Sequence, residues 1–185
     1  KNRKAFIVGI KSTTLLKKEK KFLKKYKPWG VILFSRNVKE FKQIKKLISD
    51  IKLIFKDKKY PILIDQEGGR VNRLNKLIES SIFTAEYFGN LYKKNKYKFY
   101  NYYKIYIEQV SYLLNELGIN INTVPVLDVK RLKSSNIIGD RSYSTKIKNI
   151  SIIGDFCINE FKKNGLGSVI KHIPGHGLAK VDSHK

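Results

Sequence analysis

All three histidines of the chain lie in its last segment, KHIPGHGLAKVDSHK. His172, His176 and His184 share this segment with Asp182, which precedes His184 by two residues. Imidazole groups transfer protons near neutral pH, and imidazole with carboxylate can also bind zinc. The spacing is not diagnostic of a metal site, so acid/base chemistry is the favoured interpretation and a metal site is the alternative.

Arginine is scarce in this sequence, with 6 arginines among the 39 basic residues. If drift towards AT-rich codons converts Arg to Lys wherever Lys will serve, the remaining arginines should mark positions that need a planar fork of donors. Four arginines lie after short apolar runs or in the loops that follow them: Arg36, Arg70, Arg73 and Arg141. Arg3 and Arg131 fit this pattern less well.

Strands and helices alternate along the chain and must position these polar groups. Short apolar runs predict parallel strands at 5–10, 30–35, 61–65, 121–129 and 167–173. Amphipathic patterns predict helices at about 15–26, 39–56, 84–117 and 146–164. This βα repeat places the polar residues that follow the strands at the carboxyl edge of a parallel sheet.

The absence of Gly-x-Gly-x-x-Gly after the first strand favours a barrel over a dinucleotide-binding sheet. A complete (β/α)8 barrel needs about 250 residues. We therefore expect an α/β fold, a (β/α)8 TIM-type barrel truncated after about the fifth strand, with residues 1–185 forming the N-terminal portion of a single domain.

Composition limits the class of protein. The single cysteine, Cys157, excludes an internal disulfide framework and fits a reducing compartment, so we expect a cytoplasmic protein. No apolar run is long enough to span a bilayer, and the first residues do not form a signal peptide. The sequence has no initiator Met, which predicts a fragment.

The formal net charge of +24 raises the question of a nucleic-acid partner. Most lysines lie on the outer faces of predicted helices, where they are solvated, and AT-rich codons favour Lys. The segment NLYKKNKYKFYNYYKIY mixes lysines and aromatics as a single-strand nucleic-acid surface does. Its spacing instead predicts a buried stripe: Phe88, Leu91, Tyr92, Phe99, Tyr102, Tyr106, Val110, Leu113 and Leu117. Nucleic acid is therefore the less favoured partner.

Five motifs in order carry a resemblance to a known family: GVILFSRNV, ILIDQEGGRVNRL, INTVPVLDV, IIGDRSYS and KHIPGHGLAKVDSH. They resemble the family 3 glycoside hydrolases, specifically the bacterial β-N-acetylglucosaminidases of cell-wall recycling. In those enzymes the last motif reads Lys-His-Phe-Pro-Gly-His-Gly followed by Asp-Ser-His, and here Ile173 replaces the Phe. The resemblance implies a retaining hydrolase, without metal or organic cofactor, whose partner is an N-acetylglucosamine-containing muropeptide or disaccharide.

The resemblance also implies that His184 is the general acid/base and that Asp182 orients and polarises it. Most retaining glycosidases use two carboxyl groups, but a histidine can replace the acid because it exchanges protons near neutral pH. His176, between Gly175 and Gly177, is expected to stabilise its loop.

Sugar binding is carried over to five polar residues by the same resemblance: Asp65, Arg73, Arg141, Lys171 and His172. A carboxylate can accept from two hydroxyls, while Arg and Lys donate. The segment 67–70 is expected to be structural, with its glycines allowing a tight turn. Asp128 is expected to have a structural role or to support a site residue.

The nucleophile of this family is an aspartate on a later strand, and no aspartate of this sequence matches it. We therefore expect this chain alone to be inactive. The alternative from another class is a noncatalytic, basic carbohydrate- or nucleic-acid-binding remnant of such an enzyme, which sequence beyond Lys185 would distinguish.

Overall fold

The computed structural model describes residues 2–131 and 136–176. Five strands form one sheet in the order β1-β2-β3-β4-β5, and every neighbouring pair is parallel. The strands are β1 (Lys4–Gly9), β2 (Pro28–Leu33), β3 (Ile62–Ile64), β4 (Ile121–Asn122) and β5 (Gly167–Ser168). The strand order never reverses, as in a (β/α) barrel and unlike a doubly wound sheet.

One or two helices connect each strand to the next parallel strand. They are α1 (Lys17–Tyr26), α2 (Phe41–Phe55), α3 (Ala85–Lys94), α4 (Lys96–Leu117) and α5 (Ile147–Lys163). Two short 3₁₀ turns, Ser35–Asn37 and Gly139–Arg141, follow β2 and β4. The predicted alternation of strands and helices is confirmed.

The prediction of a single helix at 84–117 is wrong, because the helix is interrupted at Asn95. This residue has extended backbone dihedrals, and its side chain accepts a hydrogen bond from Lys98 N at 3.0 Å. Thr84 caps α3 in the same way, accepting from Tyr87 N at 2.9 Å. Both are preferred N-cap residue types, but the apolar stripe continues past Asn95, and this hid the second helix start in the sequence pattern.

Part of the predicted aromatic stripe is buried, and its register within α4 differs from the prediction. Tyr103 is 3% exposed, whereas Tyr102, which the spacing placed in the stripe, is 49% exposed. In α4 the buried positions instead follow Phe99 at intervals of three and four residues: Phe99, Tyr103, Ile107, Val110, Leu114 and Leu117. Phe88, Tyr92, Phe99 and Tyr103 therefore belong to the hydrophobic core, whereas Tyr87, Tyr97, Tyr100, Tyr102 and Tyr112 of the same helices are exposed.

The fourth and fifth strands are shorter than the apolar runs 121–129 and 167–173 predict. Pro125 lacks an N–H, which interrupts the regular ladder. The two segments nevertheless stay together: Leu127 N donates to Lys171 O at 2.6 Å, and Lys171 N donates to Pro125 O at 3.2 Å. Lys171 is thereby held at the carboxyl edge beside Asp128.

The outer strands β1 and β5 each have one neighbour among the described residues. Ile7 of β1 is 44% exposed, and Val169, which follows β5, is 41% exposed. Both ends of the sheet therefore present apolar side chains to solvent. Within the described ranges, no helix is long and apolar enough to cross a membrane.

Candidate active site

Loops from three consecutive βα units bring the predicted sugar-binding residues together at the carboxyl edge of the sheet. Asp65 directly follows β3, Arg141 lies in the 3₁₀ turn after β4, and Lys171 lies in the segment after β5. Arg73 Nη2 donates to Asp65 Oδ2 at 2.8 Å, and the Lys171 ammonium contacts Asp65 Oδ1. Four of the five predicted sugar-binding residues thus share one charged cluster, together with Glu67.

Asp65 is the acceptor at the centre of this cluster. Its Oδ1 also accepts from Thr123 Oγ1 at 2.9 Å, and its side chain is 15% exposed. Burial by itself raises the pKa of Asp65, but the charge and hydrogen bond of Lys171 and the hydrogen bond from Arg73 outweigh it and lower the pKa to about 2. Asp65 is therefore a carboxylate at neutral pH.

The backbone after Asp65 is fixed by a buried amide from the next strand. Asn122 Oδ1 accepts from Gln66 N at 3.0 Å, and Asn122 Nδ2 donates to Gln66 O at 2.9 Å. The side chain of Asn122 thus continues the β3–β4 pairing past the last strand residue. Nothing in the apolar pattern distinguishes this Asn from a solvent-exposed one.

Glu67, which the sequence interpretation placed in a purely structural segment, belongs to the charged cluster. Its carboxylate accepts from Arg141 through Nε and Nη2, each at 2.8 Å, and lies 2.6 Å from Lys171 Nζ. Burial lowers the pKa of Arg141, but the hydrogen bonds and charge of Glu67 outweigh this effect, so the net shift of that pKa is upwards. Since side chains two residues apart in extended chain lie on one side, the spacing from Asp65 was a signal for this placement.

A tight turn holds Glu67 in place, as its glycines predict. Glu67 N donates to Val71 O at 3.0 Å, and Gly68 and Gly69 have positive φ angles of 92° and 57°. A Cβ on Gly68 would lie 2.4 Å from the carbonyl oxygen of Phe83. Glycine is therefore required at position 68, because the φ angle is positive and because there is no room for a Cβ atom.

Arg70, from the same turn, anchors the loop that carries Arg141. Its guanidinium donates to the backbone oxygens of Asn136 at 2.8 Å and Ile138 at 3.0 Å. Arg70 Nε also pairs with Asp140 at 2.9 Å. One planar fork thus fixes several points of the loop, which an ammonium could not reproduce.

Asp128 holds His172 and the first residues of the histidine-bearing loop. Its side chain is 0% exposed and accepts from His172 Nδ1 at 2.7 Å, His172 N at 3.1 Å and His176 N at 2.5 Å. Burial raises the pKa of Asp128, but the hydrogen bonds from His172 and His176 outweigh it and lower the pKa. The His172 and His176 rings are in edge contact, with centroids 4.7 Å apart.

The proposed acid/base pair, Asp182 and His184, lies outside the described residues. Within the described ranges, no group of three or more His, Cys, Asp or Glu side chains is arranged to hold a metal ion.

Arg36 has a different role from the other arginines that follow strands. Its Nε donates to Ile10 O at 3.0 Å, and its guanidinium lies 4.6 Å from the centroid of the Phe34 ring. Arg36 therefore joins the end of β1 to the end of β2, next to the charged cluster but without a bond to its carboxylates among the described contacts.

These consecutive parallel βα units, with carboxylates, arginines, a lysine and a histidine at the carboxyl edge, define a (β/α)-barrel domain with a polar site suited to hydroxyl groups. The chain belongs to glycosyl hydrolase family 3: the model of that family's N-terminal domain matches residues 7–185. The resemblance inferred from the five motifs is thus confirmed, as is the fold class.

Known relatives agree with this assignment. The chain is 33% identical over 180 residues to beta-hexosaminidase A of Pseudoalteromonas piscicida, covering 93% of this chain and 29% of that protein. It is 33% identical over 182 residues to the beta-hexosaminidase of Haemophilus ducreyi, covering 96% of this chain and 50% of that protein. The chain therefore spans half or less of the length of these relatives.

Solved structures show the same fold. Native NagZ from Neisseria gonorrhoeae superposes with a TM-score of 0.87 at 27% identity, covering 98% of this chain and 52% of that one. The same protein in complex with N-trifluoroacetyl-D-glucosamine gives a TM-score of 0.82 at 28% identity, covering 98% of this chain and 53% of that one.

Proposed function

We propose that the full-length protein containing this chain is a retaining β-N-acetylglucosaminidase that acts on muropeptide-derived sugars in cytoplasmic cell-wall recycling. The observation that carries the proposal is the partly buried network that joins Asp65, Arg73 and Lys171 at the carboxyl edge of the sheet. Relatives named beta-hexosaminidase and a neighbour solved with an N-acetylglucosamine analogue support this choice of sugar.

In this proposal the cluster binds the hydroxyl groups of the terminal sugar. Asp65 is ionised and can accept from sugar hydroxyls, because each carboxylate oxygen has more than one acceptor site. Arg73 Nε is buried and makes no hydrogen bond within the described part of the chain. Arg73 and Arg141 supply donors of fixed direction for hydroxyl and N-acetyl carbonyl oxygens.

His172 is proposed to present its second ring nitrogen to the sugar. With Nδ1 bonded to Asp128 at 2.7 Å, the ring has a fixed orientation. When that proton is on Nδ1, Nε2 is left as an acceptor for a hydroxyl. Asp128 supports this geometry without needing contact with the substrate.

For the chemical steps we assign His184 as the general acid/base and Asp182 as its orienting partner. The protonated imidazole gives its proton to the leaving oxygen as the glycosidic bond breaks and an aspartate carboxylate bonds to the anomeric carbon. Water then attacks that carbon, gives its proton to the imidazole and releases the carboxylate. We assign the nucleophilic aspartate to sequence beyond Lys185.

The test is an assay of the full-length protein on matched aryl β-N-acetylglucosaminide and aryl β-glucoside. We expect turnover of the N-acetyl substrate in preference to the glucoside, with the β-anomer of the product appearing first by NMR. Inversion, or a preference for the glucoside, would contradict the proposal. Sugar binding without turnover would favour the noncatalytic remnant instead.

A further inference from the structure

Glu67 is bonded to two of the proposed sugar-binding side chains, and each of them comes from a different loop. We propose that Glu67 is a positioning residue that fixes the directions in which Arg141 and Lys171 present their donors to the sugar. This inference rests on the proposed function, because the sugar is the ligand that the two cations would bind.

The geometry at Arg141 is bidentate. Nε donates to Oε2 and Nη2 donates to Oε1, each at 2.8 Å, and the Glu67 side chain is 8% exposed. Two parallel hydrogen bonds set both the position and the plane of a guanidinium. The remaining N–H groups of Arg141 are therefore aimed by Glu67 and not by the long, flexible arginine side chain itself.

Glu67 also shares the Lys171 ammonium with two other acceptors. Lys171 Nζ lies 2.6 Å from Glu67 Oε1, contacts Asp65 Oδ1 and lies 3.4 Å from Thr123 Oγ1. The two close carboxylates thus hold two of the three ammonium donors and set the direction of the third, which Thr123 engages only at 3.4 Å and which is left for the sugar. Glu67 Oε1 contacts both Arg141 Nη2 and Lys171 Nζ, so removing the Glu67 carboxylate removes the anion that separates these two like charges.

Glu67 is itself held at its backbone. Its N–H donates to Val71 O at 3.0 Å, and its carbonyl accepts from Tyr106 Oη at 3.3 Å. The carboxylate is thus built on a fixed base, and the donors it orients are organised before a sugar arrives. Such preorganisation lowers the entropic cost of binding the sugar, so the loss of Glu67 should weaken sugar affinity more than it slows turnover.

The test uses Glu67→Gln and Glu67→Asp in the full-length protein, with an aryl β-N-acetylglucosaminide as the substrate. Gln keeps the shape of Glu but replaces the charged carboxylate with a neutral amide, whose nitrogen is a donor and cannot accept from Arg141 or Lys171. We expect E67Q to raise KM by about 10- to 100-fold, as for the loss of one hydrogen bond to a charged group, with a smaller change in kcat. E67D keeps the charge and should give an intermediate KM.

A double mutant separates positioning from a merely structural role. If Glu67 acts through Arg141, the KM of E67Q/R141K should be close to that of the weaker-binding single variant and not the product of the two effects. The matched control is Glu116→Gln. It removes the same charge from an exposed pair with Lys45, at 3.4 Å, near the C-terminal end of α4. This control should keep the parental KM.

Unchanged KM in E67Q, or effects of E67Q and R141K that multiply independently, would overturn the positioning role while leaving the proposed function intact. A lower kcat at parental KM, matched by a lower titrated fraction of active sites, would show a structural role only. A parent protein without turnover would overturn the proposed function, and this inference with it. If E67Q does not fold, E67D decides by the same criteria.

Discussion

Lys171 Nζ lies 2.6 Å from Glu67 Oε1, which joins the segment after β5 to the loop after β3. The same ammonium contacts Asp65, and the side chains of Lys171 and Asp65 are 14% and 15% exposed. Largely buried charges are stable only when they are paired, so removing one member leaves its partners uncompensated. The cluster therefore responds to substitution as a coupled unit.

Asp65 should make the folded protein sensitive to acid. Its pKa is about 2 in the folded state against an ordinary value of 3.8. Its ionised form therefore stabilises the fold above about pH 4 by about 2 kcal/mol, and this contribution is lost as the pH falls towards 2. We expect Asp65→Asn to lower the melting temperature of the full-length protein at pH 6 and to differ much less from the parent near pH 2. A difference that stays constant over this range would contradict the assignment.

Arg73→Lys and Arg141→Lys should each weaken sugar binding although they keep the charge. Arg141 makes two hydrogen bonds to one carboxylate, and a single ammonium cannot reproduce that pairing together with further donors. We expect KM for an aryl N-acetylglucosaminide to rise by about tenfold or more. Melting curves establish that the variants are equally folded. Parental KM in both would mean that arginine is not required at these positions.

Asp128→Asn should loosen His172 and the start of its loop. The buried carboxylate accepts three hydrogen bonds, and an amide nitrogen at Oδ2 would oppose the two donors of His172. We expect the free energy of unfolding to fall by about 2 kcal/mol or more and KM to rise. The control is Asp50→Asn, which breaks an exposed pair with Lys46 at 3.4 Å and should change neither quantity. Stability loss at parental KM would restrict Asp128 to a structural role.

The order of elements was predictable from the sequence because apolar runs and helical stripes report burial directly. The strand ends were not: the apolar character of 121–129 and 167–173 continues although the ladder stops at Asn122 and Ser168. Pro125 was the local signal for the first of these ends. The helix break at Asn95 was hidden because the apolar stripe resumes on the far side of the cap.

A site residue could be predicted from the sequence when its residue type alone indicated its chemistry. It could not be predicted when its role depends on side chains that contact it only in the folded protein. The scarcity of arginine marked Arg36, Arg70, Arg73 and Arg141, and the family resemblance assigned sugar binding to Arg73 and Arg141. Glu67 was taken as structural although its spacing from Asp65 places both side chains on one side; its partners could not be read from that spacing, because Arg141 and Lys171 approach it only in the folded chain. Asp128 was expected to be structural or to support a site residue, and its contacts with His172 and His176 fit that expectation, although the sequence did not show which residues it would hold.

His184→Ala should reduce turnover on a natural disaccharide by about 10² to 10⁴, the usual contribution of general acid/base catalysis. Substrates with good leaving groups should be affected less in the first step, because their leaving oxygen needs little protonation. The measurement is kcat of the full-length variant on the disaccharide and on an aryl glycoside. Equal turnover of parent and variant on the disaccharide would remove His184 from the mechanism.

Residues 1–185 expressed by themselves should show no glycosidase activity and should self-associate. Among the described residues, β1 and β5 have a partner on one side only, and Ile7 and Val169 beside these edges are 44% and 41% exposed. Open, apolar sheet edges pair with other copies, and a barrel removes them only by closing. A retaining mechanism also needs a nucleophilic carboxylate, which we assign to sequence beyond Lys185. Light scattering, a thermal melt and release of an aryl leaving group test these points. A monomer that melts cooperatively and turns over substrate above the uncatalysed rate would show that these residues are sufficient.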